Sequence, residues 1–197
     1  MNQIIDRREA LRKTALLMGA AVSASALTGI LQGCKASPEL TYTPDFFTKE
    51  QAELVSELAE VIIPKTDTPG AKDAGVPGFI DKMLKECYKK EDQDNYLAGL
   101  AEFDAACKSA NGDSFIYLKP EKQLEFVKAQ NEAALKITKE TPDAKRPFVL
   151  TTKELTLLGF FTSEPGATQV LQYEAVPGSY KGCIPLSEAG NGKTWAT

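Results

Sequence analysis

Thr48-Lys-Glu-Gln-Ala-Glu-Leu-Val-Ser-Glu-Leu-Ala-Glu-Val-Ile-Ile-Pro64 is the stretch on which the fold turns. Leu54, Leu58, Val61 and Ile62 recur at three- and four-residue spacing, which puts apolar side chains along one side of a helix. Thr48 precedes them with Gln51 three residues on. That T-x-x-Q pattern is a capping box, in which hydroxyl and amide side chains each satisfy a backbone N–H of the first turn. Pro64 ends the helix, because its ring has no N–H to donate and clashes with the preceding turn.

The same spacing continues outward. Residues 64–77 form a loop dense in Pro and Gly, and Pro77 suits the first turn of a second helix carrying Phe79, Ile80, Met83 and Leu84. A third helix is predicted over about 93–110 with Leu97, Leu100, Phe103 and Ala106 inward, stopped by Asn111-Gly112. Residues 115–118 read as a short extended piece. Pro120 opens a fourth helix with a stripe of Leu124, Val127, Ala134 and Leu135, widened by Phe126. Thr151 and Glu154 read as a second capping box ahead of the nearly all-apolar run Leu155-Thr-Leu-Leu-Gly-Phe-Phe161, which should be the centre of the core. From Val176 onward, Pro and Gly predict an irregular strap over the helices. The expected fold is therefore all-α: one compact multi-helix domain over 48–197, behind a signal segment (1–33) and a tether (34–47).

Composition limits function. Of the 197 residues, 43% are hydrophobic and 25% charged, the proportions of a globular chain with a packed core. Residues 1–34 carry Arg7, Arg8, Arg12 and Lys13 against Asp6 and Glu9, a net +2 within a total of −4, so the remainder holds −6. Such a body is repelled by a phosphate backbone, which disfavours nucleic acid as a partner. The chain has no histidine, and Cys34, Cys87, Cys107 and Cys183 form no C-x-x-C pair, so the usual metal, haem and thioredoxin-type sites find no support. Cys87, Cys107 and Cys183 leave open either one disulfide with a thiol over or ordinary buried thiols.

The N-terminus reads as an address. Arg7-Arg8, a leucine three residues beyond, and an uncharged Ala/Gly/Ser-rich stretch to residue 34 resemble a twin-arginine export signal, the route of folded cargo. Leu31-Gln-Gly-Cys34 is similar to a lipoprotein cleavage box, which would place a lipid on Cys34 and hold the protein at the periplasmic side of the cell envelope.

No catalytic, cofactor-binding or metal residue is assigned. Gly190-Asn-Gly-Lys-Thr194 ends like a phosphate-binding loop, but Ser187 stands where its first glycine belongs and too little chain follows for a helix, so it reads as a surface turn. No G-x-G-x-x-G cradle for a flavin or nicotinamide is present. Carboxylates such as Glu91, Asp92, Glu102 and Asp104 lie among lysines and read as solvated charge.

Two stretches carry a family resemblance. Leu58-Ala-Glu-Val-Ile-Ile-Pro-Lys-Thr-Asp-Thr-Pro-Gly-Ala-Lys-Asp-Ala-Gly-Val-Pro-Gly-Phe-Ile-Asp81 resembles the signature of gluconate 2-dehydrogenase subunit 3 proteins, and Tyr173-Glu-Ala-Val-Pro-Gly-Ser-Tyr-Lys-Gly-Cys-Ile-Pro-Leu186 is similar to their C-terminal pattern. The resemblance implies a small helical subunit that pairs with a large flavoprotein of the glucose-methanol-choline type, FAD lying in that partner and electrons passing to a cytochrome. It also implies that the flavoprotein crosses the membrane as cargo of the small subunit. On that basis Pro64, Gly70, Gly75 and Pro77 of the loop, and Pro177, Gly178 and Tyr180 of the strap, are the expected partner contacts, their fixed backbone losing little entropy on docking, with a rigid helix connector the other reading of the loop. The rival reading is a free-standing envelope lipoprotein that binds a small ligand through Tyr173, Tyr180 and Trp195.

Overall fold

Among the described residues, five α-helices build the body: α1 Lys49–Ile62, α2 Val76–Cys87, α3 Lys90–Asn111, α4 Pro120–Glu140 and α5 Phe148–Phe161. The computed structural model describes residues 40–142, 144–176, 178–179, 182–185, 187–188 and 190–196. The export signal at Arg7 and Arg8, Cys34, and the strap residues Pro177 and Tyr180 lie outside the described residues. No strand occurs among those described, and no described helix is long and apolar enough to cross a membrane. One isolated parallel bridge ties Gln172 to Trp195.

The first helix starts as its sequence dictates. The Gln51 N–H donates to Thr48 Oγ1 at 3.3 Å, and the Thr48 N–H to Gln51 Oε1 at 3.0 Å, so both halves of the capping box are made. Leu54, Val55 and Leu58 are buried, and burying one such side chain stabilises by about 1.5–3 kcal/mol. Pro77 lies in the first turn of α2, behind Gly75 with φ +71°, a backbone state that glycine adopts without a Cβ penalty. Gly112 closes α3.

Helix α5 is the hub, packing against α1, α2, α3 and α4. Two threonines sit wholly inside it. Thr152 Oγ1 donates to the Phe148 carbonyl at 2.9 Å and Thr156 Oγ1 to the Thr152 carbonyl at 2.7 Å, so each hydroxyl is satisfied within the helix. With its own proton committed, Thr152 Oγ1 accepts from the Tyr96 hydroxyl at 2.9 Å. Around this point Phe103, Phe115, Phe126 and Phe148 form an aromatic cluster with centroids 5.1–6.4 Å apart, Phe103 standing edge-on to Phe115 and Phe126 and the other pairs tilted.

Four sequence expectations are corrected. Residues 115–117 form a single 3-10 turn, not an extended piece, because Asp104 gathers it from below: its Oδ1 accepts from Ser114 Oγ at 2.7 Å and from the Phe115 N–H at 3.1 Å. Helix α5 begins at Phe148, so Thr151 is no cap; its hydroxyl turns back to the Pro147 carbonyl, and Glu154 pairs with Arg146 at 2.7 Å. On α4 the buried stripe is Gln123, Phe126, Val127 and Ala134, with Leu124 and Leu135 exposed. The Gln123 amide enters the core because it donates to the Phe115 carbonyl at 3.0 Å, and this turns Leu124 outward. On α3, Cys107 takes the inward place expected of Ala106, which is exposed.

Asp104 is consequently a structural carboxylate rather than solvated charge. Burial alone would raise its pKa, but hydrogen bonds from Lys108, Ser114 and the Phe115 N–H outweigh that and hold the carboxyl below the usual aspartate range. A depressed folded pKa contributes stability that is present above the unfolded value and lost as pH falls through the folded one. Asp104→Asn is therefore expected to lower the urea midpoint at neutral pH, with the gap to wild type closing on acidification below the aspartate range. Parallel midpoints at all pH values would remove the carboxylate from this role.

Candidate functional site

Three surfaces could act on another molecule, and each is set up by named contacts. The first is the loop between α1 and α2. Glu60, in the last turn of α1, accepts the Lys65 N–H and the Lys72 N–H, each at 2.9 Å, while Lys72 Nζ pairs with Glu57. Gly70 makes this possible: a Cβ there would lie 2.4 Å from Glu60 Oε1 and 2.6 Å from the Lys65 nitrogen. Lys65 Nζ closes the loop on Asp73 at 2.7 Å. Gly70 and Pro77 are buried within this arrangement, whereas Pro64 and Gly75 stand on its outer side. Gly178 is exposed in the strap.

Asp81, the last residue of the quoted signature, braces the chain ahead of α1. Its buried carboxylate accepts the Asp45 N–H at 2.8 Å, the Phe47 N–H at 3.0 Å and the Phe46 N–H at 3.2 Å. Tyr42 packs its ring over Gly78 beside it, and burial followed by the Asp81 charge pushes the Tyr42 hydroxyl pKa up.

The second surface is the outer side of α5. Only Lys153 and Glu154 are charged among its 14 residues. Leu157, Leu158 and Phe161 nevertheless face solvent, at 38%, 45% and 38% exposure. A helix apolar all round is ordinarily covered on every side, and this one is not. The sequence marks α5 as core from its apolar run, but such a run carries no sign of which side neighbours leave bare.

The third is a cleft of about 230 Å³ where the start of α3 meets the start of α5. Tyr88, Tyr96 and Phe148 are its aromatic walls, with Asp92, Asn95, Arg146 and Thr151 among the polar lining. Tyr88 is fixed by Gln93, whose Nε2 donates to the carbonyls of Tyr88 at 3.2 Å and Leu84 at 2.8 Å. The Tyr96 ring stands edge-on to Phe148 at 4.9 Å, and full burial drives its hydroxyl pKa up despite the Thr152 hydrogen bond.

The remaining sequence candidates find ordinary places. Residues Gly190–Gly192 form a 3-10 turn, and Lys193 Nζ donates to the Gln169 carbonyl. Cys87 and Cys183 are exposed thiols and Cys107 is a buried one. Tyr173 and Trp195 are exposed in the tail. Among the described residues, no three cysteines or carboxylates are grouped to hold a metal ion.

The described body is small and all-helical, and its central helix keeps an apolar side open to solvent. The family model for gluconate 2-dehydrogenase subunit 3 matches residues 49–178, and the chain belongs to that family. The match begins with the first residue of α1 and ends at Gly178, inside the tail stretch that resembles the same family. No curated protein and no solved structure matches the chain closely enough to add to this.

Proposed function

We propose that the chain is a non-catalytic small subunit that binds, helps mature and escorts a flavin-dependent sugar or sugar-acid dehydrogenase of the glucose-methanol-choline type across the inner membrane. The observation that carries this reading is the bare apolar side of α5, together with membership of a dehydrogenase subunit family. Leu157, Leu158 and Phe161 form a contact that water disfavours and a large partner would cover. In this reading FAD sits in the partner, a cytochrome subunit takes the electrons, and the Arg7-Arg8 signal exports the folded pair. A lipid on Cys34 then holds the complex at the periplasmic face.

The braced loop fits the same role. Glu60 and Asp81 fix irregular backbone before any partner arrives, so ordering it costs little at docking. Deleting this protein should leave the flavoprotein in the cytoplasm and abolish sugar oxidation in the envelope, while the purified small chain shows no flavin absorbance. Fractionation and activity assays read the first two, and visible spectroscopy the third. A yellow, active small chain, or a flavoprotein exported normally without it, would overturn the reading.

A further inference from the structure

The turn at Gly190 to Thr194 brings the far end of the strap back to its root. Gln172 donates its N–H to the Thr194 carbonyl at 2.8 Å and accepts the Ala196 N–H at 2.8 Å, the two hydrogen bonds of the bridge to Trp195. Lys193 Nζ reaches across to the Gln169 carbonyl, and the Lys193 N–H folds back on the Gly190 carbonyl at 3.0 Å. Gly190 is what lets the two segments meet. Its φ is +52°, and a Cβ there would lie 2.8 Å from Gln172 Cβ.

The root itself is firmly seated. Gln169 belongs to the π-turn Gly166–Val170 that follows α5, in which Gly166 lies against the Phe160 carbonyl and Val170 packs on the core. The bare side of α5 ends at Phe161, just ahead of that turn, so the strap leaves the body beside the apolar contact. Between described residues no hydrogen bond or ion pair runs from 173–188 to a helix, so the described fixings of the strap are its two ends. The strap nevertheless carries Tyr173, Val176 and Ile184 at 56%, 80% and 39% exposure. Apolar side chains on irregular backbone bind well where that backbone is already shaped, because ordering it at docking costs affinity. Joining the two ends removes part of that freedom as the chain folds, before a partner arrives.

We propose that the turn at 190–196 is a clasp that holds the strap in its docking shape, with Gly190 and Lys193 as positioning residues for the contact with the partner subunit. The proposal rests on the subunit reading for what docks. The family match ends at Gly178, so this chain supplies the clasp from residues beyond the matched part.

The test has two arms on the full chain. In the first, hydrogen exchange is followed by NMR at the Gln172 and Ala196 amides, both of which donate across the bridge. Protection is expected in wild type and in Lys193→Arg, partial loss of it in Lys193→Met, and full loss in Gly190→Val. Melting temperatures should stay within about 2 °C of wild type, because none of residues 190–196 belongs to the core. In the second arm the co-expressed flavoprotein is captured on the same variants, with about tenfold weaker capture on Gly190→Val and wild-type capture on Lys193→Arg. Unprotected amides in wild type, or amides still protected in Gly190→Val, would overturn the proposal. Undiminished capture on a variant whose clasp is open would overturn it too, as would a loss of capture matched by a fall in melting temperature. No capture on wild type defeats the subunit reading, and the exchange arm still judges the clasp by itself.

Discussion

Asp81→Ala is expected to lower the melting temperature by about 10 °C. The carboxylate is buried and accepts the N–H groups of Asp45, Phe46 and Phe47 in succession. Truncation strands these donors, and leaving such buried groups unsatisfied costs about 1–3 kcal/mol each, less for the part-buried ones. The loss spreads beyond the bond itself. Phe47 is buried, and its ring lies 6.0 Å from Tyr96 and 5.1 Å from Phe46, so releasing the segment also loosens aromatic packing on α3. Asp81→Asn keeps the shape and one acceptor oxygen, and should lose about half as much. Circular dichroism melts decide the matter. A shift under about 2 °C for the alanine variant would mean that aromatic packing alone holds the segment.

The sequence makes the helices legible where a single residue type forces the backbone. Thr48 with Gln51, Pro64, Pro77, Gly112 and Pro120 each act on their own turn, and each element boundary follows. It is less informative where the deciding partner is remote. Asp81 and Asp45 are 36 residues apart, and the acceptor role of Asp81 depends on backbone amides that carry no signature in the text. The register of α4 depends on the carbonyl of Phe115, which rewards burying Gln123 over Leu124. Asp104 looks like any surface acid until the turn at Ser114 folds back on it.

The family signature shows the same division. Pro64, Gly70 and Pro77 are visible as punctuation, whereas the reason for Gly70, a glutamate lying against its α-carbon, exists only in three dimensions. Likewise, the run from Leu155 to Phe161 announces a buried helix, and four neighbouring helices do bury most of it. Periodicity has nothing to say about the side that no described helix covers.

Replacing Leu157 and Leu158 together with glutamine is expected to weaken capture of the proposed flavoprotein partner about thirtyfold while leaving the small chain folded. Both leucines are already partly buried at 38% and 45% exposure, so covering what remains is worth about 1 kcal/mol each, well short of a fully buried leucine. Together that is about 2 kcal/mol of partner affinity, or about thirtyfold. In the free subunit the packed half of each leucine is also exchanged for a more polar side chain, so a modest fall in melting temperature is expected with the fold kept. Phe161 is left in place because its ring stands edge-on to Phe160 at 5.4 Å, and removing it would mix packing loss with binding loss. Leu124→Gln with Leu135→Gln on α4 supplies the control, since these side chains are as exposed but lie on another helix. Thermal melts check the stability of both variants and affinity capture reads the complex. If the α4 pair weakens capture and the α5 pair does not, the partner covers α4 and the bare side of α5 serves another contact. If neither does, the apolar surface is not where the proposed dehydrogenase partner binds.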